Sequence, residues 1–439
     1  MGKTKTKKVH SDIVRDSINT FGTNAIGALL SLIGSLLVLS RVAPDVKGLY
    51  NQVQTWGSGF NSILGLSISA AIVYFVARYT IGNTKKAIRK LTFSITLLIL
   101  VVASAVLIAL RHSSFFATTS TQFLVGIVVY GILSLLLSVT NMMLRGENKF
   151  KSYNLVNLTQ QVLILAVYVV VFFHPSAALW VWATNGVTFL MICFSFYGVL
   201  RWNGSKPVPT PENDRPVKAG EMVNYSLRSH VSNVMTYVTT YLGSYVVQGR
   251  YNLKTFGVYS FATTMSQQLS ILPDAVSQVI MSRIASMGER NDKVRLTVLS
   301  AKIVTYITVA TAALLLLVAK YLVPVLFPMY AGAVEPLGYL IIGSIFISFA
   351  KVLNNSIAAY GRPELNIIPT AVGIAANIGS TLLFVPLGVN GIALATSLSL
   401  TAQSLTSLGI FCRFSHTKPY RIFIPSKEEM ASLRGILHK

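Results

Sequence analysis

The sequence predicts an all-α polytopic membrane protein, with twelve transmembrane helices in two parallel six-helix halves. Three observations lead there. The 439 residues are 53% hydrophobic and only 12% charged, with a mean hydropathy of +0.60, whereas soluble domains carry about 25% charged residues. Apolar runs of spanning length recur along the whole chain. Lys and Arg fall into alternate connections between those runs, as the positive-inside rule requires.

The runs lie near 20–40, 55–77, 91–110, 121–144, 154–173, 178–200, 230–249, 256–282, 300–325, 337–360, 366–386 and 391–412. Connections on one side of the membrane, the two termini included, hold 31 of the 37 Lys and Arg. The other side holds only Arg41, Lys47, Arg111, Arg250, Lys254 and Lys320. This bias places both termini in the cytoplasm, which an even number of spans also requires. The Lys3–Lys8 start resembles a signal peptide, but Asp12, Arg15 and Asp16 interrupt it and the following run is of spanning length, so an uncleaved first helix is expected. The net charge of +23 lies in connections and not on one face of a domain, which argues against nucleic acid. Cys193 and Cys412 fall inside spans, so core thiols and no disulfide are expected. The histidines lack metal-ligand spacing and no P-loop occurs, so neither a metal nor ATP hydrolysis is expected.

Three echoes divide the chain in two. Arg41-x6-Gly48-Leu-Tyr50 returns as Arg250-x6-Gly257-Val-Tyr259, Gly146-Glu147 as Gly361-Arg362, and Asn185-Gly186-Val187 as Asn390-Gly391-Ile392. An even number of helices per half makes these parallel repeats. The expected divisions are a first lobe at 1–200, a proline-rich cytoplasmic linker at 201–222, a second lobe at 223–414 and a basic amphipathic tail at 415–439. The Gly and Tyr of the repeated motif are read as shaping outer turns, with Tyr at the interface.

Within the spans, polar residues are few. Gly27, Ser31 and Ser35 form a small-residue stripe suited to close helix packing, with Asn24 one position off and a candidate for a cavity. The seventh span carries many hydroxyls, among them Tyr237 and Tyr241, and lines either a wet path or a polar helix interface. Ser344, Ser348, Lys351 and Asn355 share one face of the tenth span. Lys351 is about 13 Å from the end of that span, near the bilayer centre. Asp274 lies at about the same depth in the eighth span, so the two are either an ion pair pinning helices or a substrate or ion site. Arg78, Arg228 and Arg283 stand at inner helix ends, where they anchor helices at the headgroups or meet a substrate. One acid against several cations biases a cavity positive and suits an anion such as a phosphate.

Arg41…Gly48-Leu-Tyr50, the Gly146 loop, Gly257-Val-Tyr259 with Leu272-Pro273, Leu326-Phe327-Pro-Met-Tyr330, Ala359-Tyr360-Gly361-Arg362 and Pro386-Leu-Gly388-Val-Asn390-Gly391 together resemble the polysaccharide-transporter branch of the MOP exporter superfamily, the Wzx-type oligosaccharide flippases. The resemblance implies a V of two lobes in the plasma membrane that opens alternately to each side. It implies carriage of a polyprenyl-pyrophosphate-linked oligosaccharide to the outer leaflet, with no covalent step and no cofactor beyond a coupling H+ or Na+. A polysaccharide polymerase and glycosyltransferases would be its partners. Lys351, Arg228, Arg283 and Arg78 would meet the pyrophosphate, Tyr237, Tyr241, Asn24 and Asn355 the sugars, and Asp274 the coupling ion. The rivals are a cation-coupled multidrug exporter of the same superfamily, the lipid II flippase branch, which is described with fourteen spans, and a non-transporting scaffold for glycan assembly.

Overall fold

A computed structural model describes residues 2–201, 215–271, 273–274, 276–277, 280, 284, 290–360 and 362–424. The described residues contain no strand. Among the described residues the α-helices are α1 (Gly2–Leu39), α2 (Pro44–Leu64), α3 (Ile68–Ala109), α4 (Thr121–Gly146), α5 (Phe150–Phe173), α6 (Ala177–Arg201), α7 (Ala219–Arg250), α8 (Leu253–Gln268), α9 (Arg290–Leu326), α10 (Val334–Ala359), α11 (Ile367–Phe384) and α12 (Gly388–Ser415). Among the described residues, by length and composition, eight stretches are apolar enough to cross a membrane, or nine when the bent pair α2 and Ile68–Tyr79 is one span. The twelve expected runs reconcile with this physically. One stretch, Glu364–Ser415, contains both α11 and α12, α7 is too rich in hydroxyls, and α8 is only 16 residues long. The chain is a multi-pass, all-helical membrane protein.

The packing falls into two compact units, Met1–Tyr237 with Gln248–Gly257, and Val238–Val247 with Val258–Lys439. This division runs through α7 and not through the expected linker, whose residues 202–214 lie outside the described residues. Both ends of α7 carry aromatic and polar groups that find partners on α2 and α3. Tyr225 stacks on Tyr74 at 4.4 Å, the Tyr237 hydroxyl donates to the Thr55 carbonyl at 2.6 Å, and Trp56 Nε1 donates to Gln248 Oε1 at 2.9 Å.

Each unit repeats one packing scheme. In the first, α3 packs on α4, α4 on α6 and α5 on α6; in the second, α9 packs on α10, α10 on α12 and α11 on α12. Even a polar pin recurs: Asn154 of α5 donates to Thr20 of α1 at 3.1 Å, and Asn377 of α11 donates to the Thr239 carbonyl of α7 at 3.5 Å. Small residues allow close approach, as in other membrane helices. A Cβ on Gly27 would meet Gln161 Cγ at 3.0 Å, one on Gly34 would meet Tyr168 Cδ2 at 2.2 Å, and one on Gly57 would meet the Ile127 carbonyl oxygen at 2.9 Å.

Four expectations need correction. The second span starts at Pro44, where a missing N–H costs nothing, and it breaks at Gly65–Ser67 with a 55° bend. Leu66 and Ser67 both have φ of 50° there. Tyr50 and Tyr259 are buried and not interfacial: the rings are 5% and 1% exposed, and Tyr50 stacks on Trp180 at 4.0 Å. Gly48 and Gly257 lie inside helices, where close approach and not turn geometry requires them. Cys193 is exposed on α6 and is not a core thiol. Of the tail, only the start is described. A short 3-10 turn, Pro419–Ile422, buries Ile422, Tyr306 donates to the Phe423 carbonyl, and Phe423 packs edge-on against Phe349 at 5.2 Å. The amphipathic residues beyond 424 lie outside the described residues.

Candidate functional site

In the second unit the charged pair forms. Lys351 Nζ lies 2.7 Å from Asp274 Oδ1 and 2.9 Å from Oδ2, so the ammonium straddles the carboxylate. The two side chains remain 29% and 49% exposed, which leaves room for a third group. Lys351 reaches this place because α10 is pinned beside the eighth span one layer away. Ser266 and Ser344 share a 2.6 Å hydroxyl contact, eight residues before Asp274 and seven before Lys351. Steps of nearly equal length in the same direction mean the two segments run parallel. Ser344 and Ser348 are buried, and Ser348 donates to the Ser344 carbonyl at 2.6 Å. The expected polar face of α10 is therefore packed at one end and open only from Lys351 onward, where Asn355 is half-buried.

The first unit holds Arg78, Arg228, Asn24 and Tyr237. Arg78 is exposed and donates to the Tyr74 hydroxyl at 2.9 Å, which ties it to the Tyr74–Tyr225 stack. Arg228 and Asn24 are exposed. Tyr237 is buried with its hydroxyl spent on Thr55, so it builds a helix contact and presents nothing to a ligand. Tyr241, in the second unit, is half-buried. Arg283 lies outside the described residues. The structure thus brings Lys351 and Asp274 together, with Asn355 one turn further along the same helix.

One polar cluster was not expected. At the break of the second span, Asn233 Nδ2 donates to Ser67 Oγ at 2.9 Å and His230 Nδ1 lies 3.2 Å from the same oxygen. Both contacts end on the Ser67 hydroxyl, so they tie the break to α7 through a side chain. Gly65-Leu-Ser67 is a weak signal in sequence, since a Gly inside an apolar run more often marks close packing. Among the described residues no group of three or more His, Cys, Asp or Glu is placed to hold a metal ion.

Residues 88–329, more than half of the chain, match a family described as polysaccharide biosynthesis protein. No curated protein sequence matches. Solved structures share the fold. An inward-facing multidrug resistance MATE family transporter of the MOP superfamily is 16% identical over 91% of this chain and 98% of its own, with a TM-score of 0.67. The lipid II flippase MurJ, in an inward closed conformation, is 15% identical over 93% of this chain and 89% of its own, with a TM-score of 0.68. A MOP superfamily transporter from Pyrococcus furiosus, described as having a binding pocket of reversed polarity, is 16% identical over 92% and 95%, with a TM-score of 0.64. At such identities the likeness is one of fold.

Proposed function

This chain belongs to the polysaccharide biosynthesis protein family, and from that membership we propose that it is a flippase. It carries a polyprenyl-pyrophosphate-linked oligosaccharide from the inner to the outer leaflet of the plasma membrane by alternating access, with both termini cytoplasmic. The observation that supports this reading is the half-open Lys351–Asp274 pair. A cation kept at membrane depth is costly and marks function by default, and an ammonium with one face free suits a phosphate oxygen.

In this reading Asp274 is a placeholder. Its carboxylate holds Lys351 until the pyrophosphate displaces it, or until Asp274 takes up the coupling ion, which we assign as H+ or Na+. Either event releases the ammonium to the substrate. Arg78 and Arg228 attract the head group at the inner end, Asn24, Asn355 and Tyr241 hydrogen-bond or stack on sugars, and the lipid tail stays in the bilayer. Nothing covalent occurs. The head group is then passed to a polymerase or glycosyltransferases.

The experiment is a complementation assay that reads lipid-linked glycan on the outer face of cells. Lys351→Met together with Arg228→Ala is expected to abolish it at normal protein levels. Wild-type surface glycan in that double variant would end this reading in favour of a scaffold, and drug efflux in its place would favour a multidrug exporter.

A further inference from the structure

Three lysines are buried among the described residues: Lys47, Lys149 and Lys302. Lys149 holds Glu147 at 2.5 Å and the Val199 carbonyl at 3.0 Å, and Lys302 is partnered too. Lys47 differs. The residue is 4% exposed, and among the described residues no hydrogen bond or ion pair is found for its side chain. A lysine buried without a paired acid is costly to keep. The repeat shows that the scaffold does not demand it, because the matching position in the second half is Phe256, 1% exposed.

What lies next to Lys47 explains how the cost is maintained. Gly48 and Gly257, the glycines of the repeated motif, meet each other. A Cβ on Gly48 would sit 2.1 Å from the Leu253 carbonyl oxygen, and one on Gly257 would sit 1.7 Å from the Pro44 carbonyl oxygen. Each glycine thus packs on the carbonyl four residues before the other. This reciprocal crossing closes α2 against the start of α8 at the turn that carries Lys47.

We propose that Lys47 is a masked anion site, which the parting of the Gly48–Gly257 crossing uncovers to bind a phosphate-bearing head group. The proposal rests on the flippase reading for its place in the cycle, at the outer end of the path, and it is separate from Lys351. The ligand chemistry is a phosphate or pyrophosphate ester, from either the lipid-linked glycan or a bulk anionic phospholipid.

The test uses the full chain in nanodiscs of phosphatidylcholine, titrated in separate arms with a polyprenyl pyrophosphate, phosphatidylglycerol and inorganic pyrophosphate. Wild type, Lys47→Met, Gly48→Ala and the double variant are compared by ligand-induced shift in Tm. Gly48→Ala is expected to tighten binding at least threefold by forcing the crossing open. Lys47→Met is expected to weaken it at least tenfold in either background, without lowering the unliganded Tm. A response confined to the polyprenyl arm supports the site with the substrate as its source, and one to phosphatidylglycerol supports it with bulk lipid as the source. Binding within twofold of wild type in every arm overturns it. Should Lys47→Met fail to fold, amine labelling of Lys47 in Gly48→Ala decides: protection by a phosphate probe supports the site, and unchanged labelling overturns it. Normal flipping by Lys47→Met beside a dead Lys351→Met removes this proposal alone. Absence of flipping by wild type removes the flippase reading and leaves the binding arms to judge Lys47.

Discussion

Breaking the Lys351–Asp274 pair from each side separates a pin from a working site. The ammonium contacts both carboxylate oxygens, at 2.7 and 2.9 Å, which favours coupling. The side chains are 29% and 49% exposed, which screens it. Fully exposed pairs contribute about 0.5 kcal/mol, and breaking fully buried ones costs about 3–5 kcal/mol. This pair lies between, so a double-mutant cycle should return a coupling of about 1.5 kcal/mol. Lys351→Met and Asp274→Asn should each lower the Tm of the purified protein, and the double variant should recover most of that loss. Transport should not follow stability. Surface glycan should fall at least tenfold in all three variants, because the double variant has neither the ammonium for the pyrophosphate nor the carboxylate that releases it. A double variant that restores transport along with Tm would refute the reasoning and leave the pair a structural pin.

Four further outcomes are expected. Lys149→Met leaves a half-buried Glu147 unpaired and should destabilise by about 2 kcal/mol, read as loss of folded yield and Tm, whereas Lys149→Met with Glu147→Gln should recover most of it. Trp180→Ala removes a ring that is 2% exposed and stacked on Tyr50, and should cost about 3 kcal/mol. Ser67→Ala takes away the shared partner of His230 and Asn233 and should speed amide exchange at residues 65–68 while leaving α5 unchanged. At the start of α7, hydrogen bonds from Arg215 hold the Glu221 carboxyl below its ordinary range. A depressed carboxyl stabilises above the unfolded pKa and loses that contribution as pH falls through the folded one, so exchange at 217–223 should rise only under acid conditions.

The helical elements were legible because hydropathy is summed over many residues. The repeat was legible from short motif echoes, which recur in the same order in both halves. The Lys351–Asp274 pairing was legible as one of two options, since helical rise alone sets both groups at one depth. What escaped depends on partners distant in sequence. Tyr237 looks like a ligand contact until its hydroxyl is found on Thr55, Tyr50 looks interfacial until Trp180 covers it, and the division of α7 follows from where Tyr74 and Trp56 happen to lie. The Gly48–Gly257 contact was half visible: the motif repeats, but nothing in one dimension says that its two copies touch.

The break at Gly65–Ser67 gives the second span a mechanical property that an unbroken helix lacks. A continuous helix is a stiff rod, and tilting one end levers the other. Here the α2 arm is fixed to α4 through Gly57, the α3 arm is fixed to α7 through Tyr74 and Tyr225, and the joint between them is held by side chains of α7. The two arms of this span are thus anchored to different partners, α4 and α7, and the change of direction between them is confined to the three residues of the break.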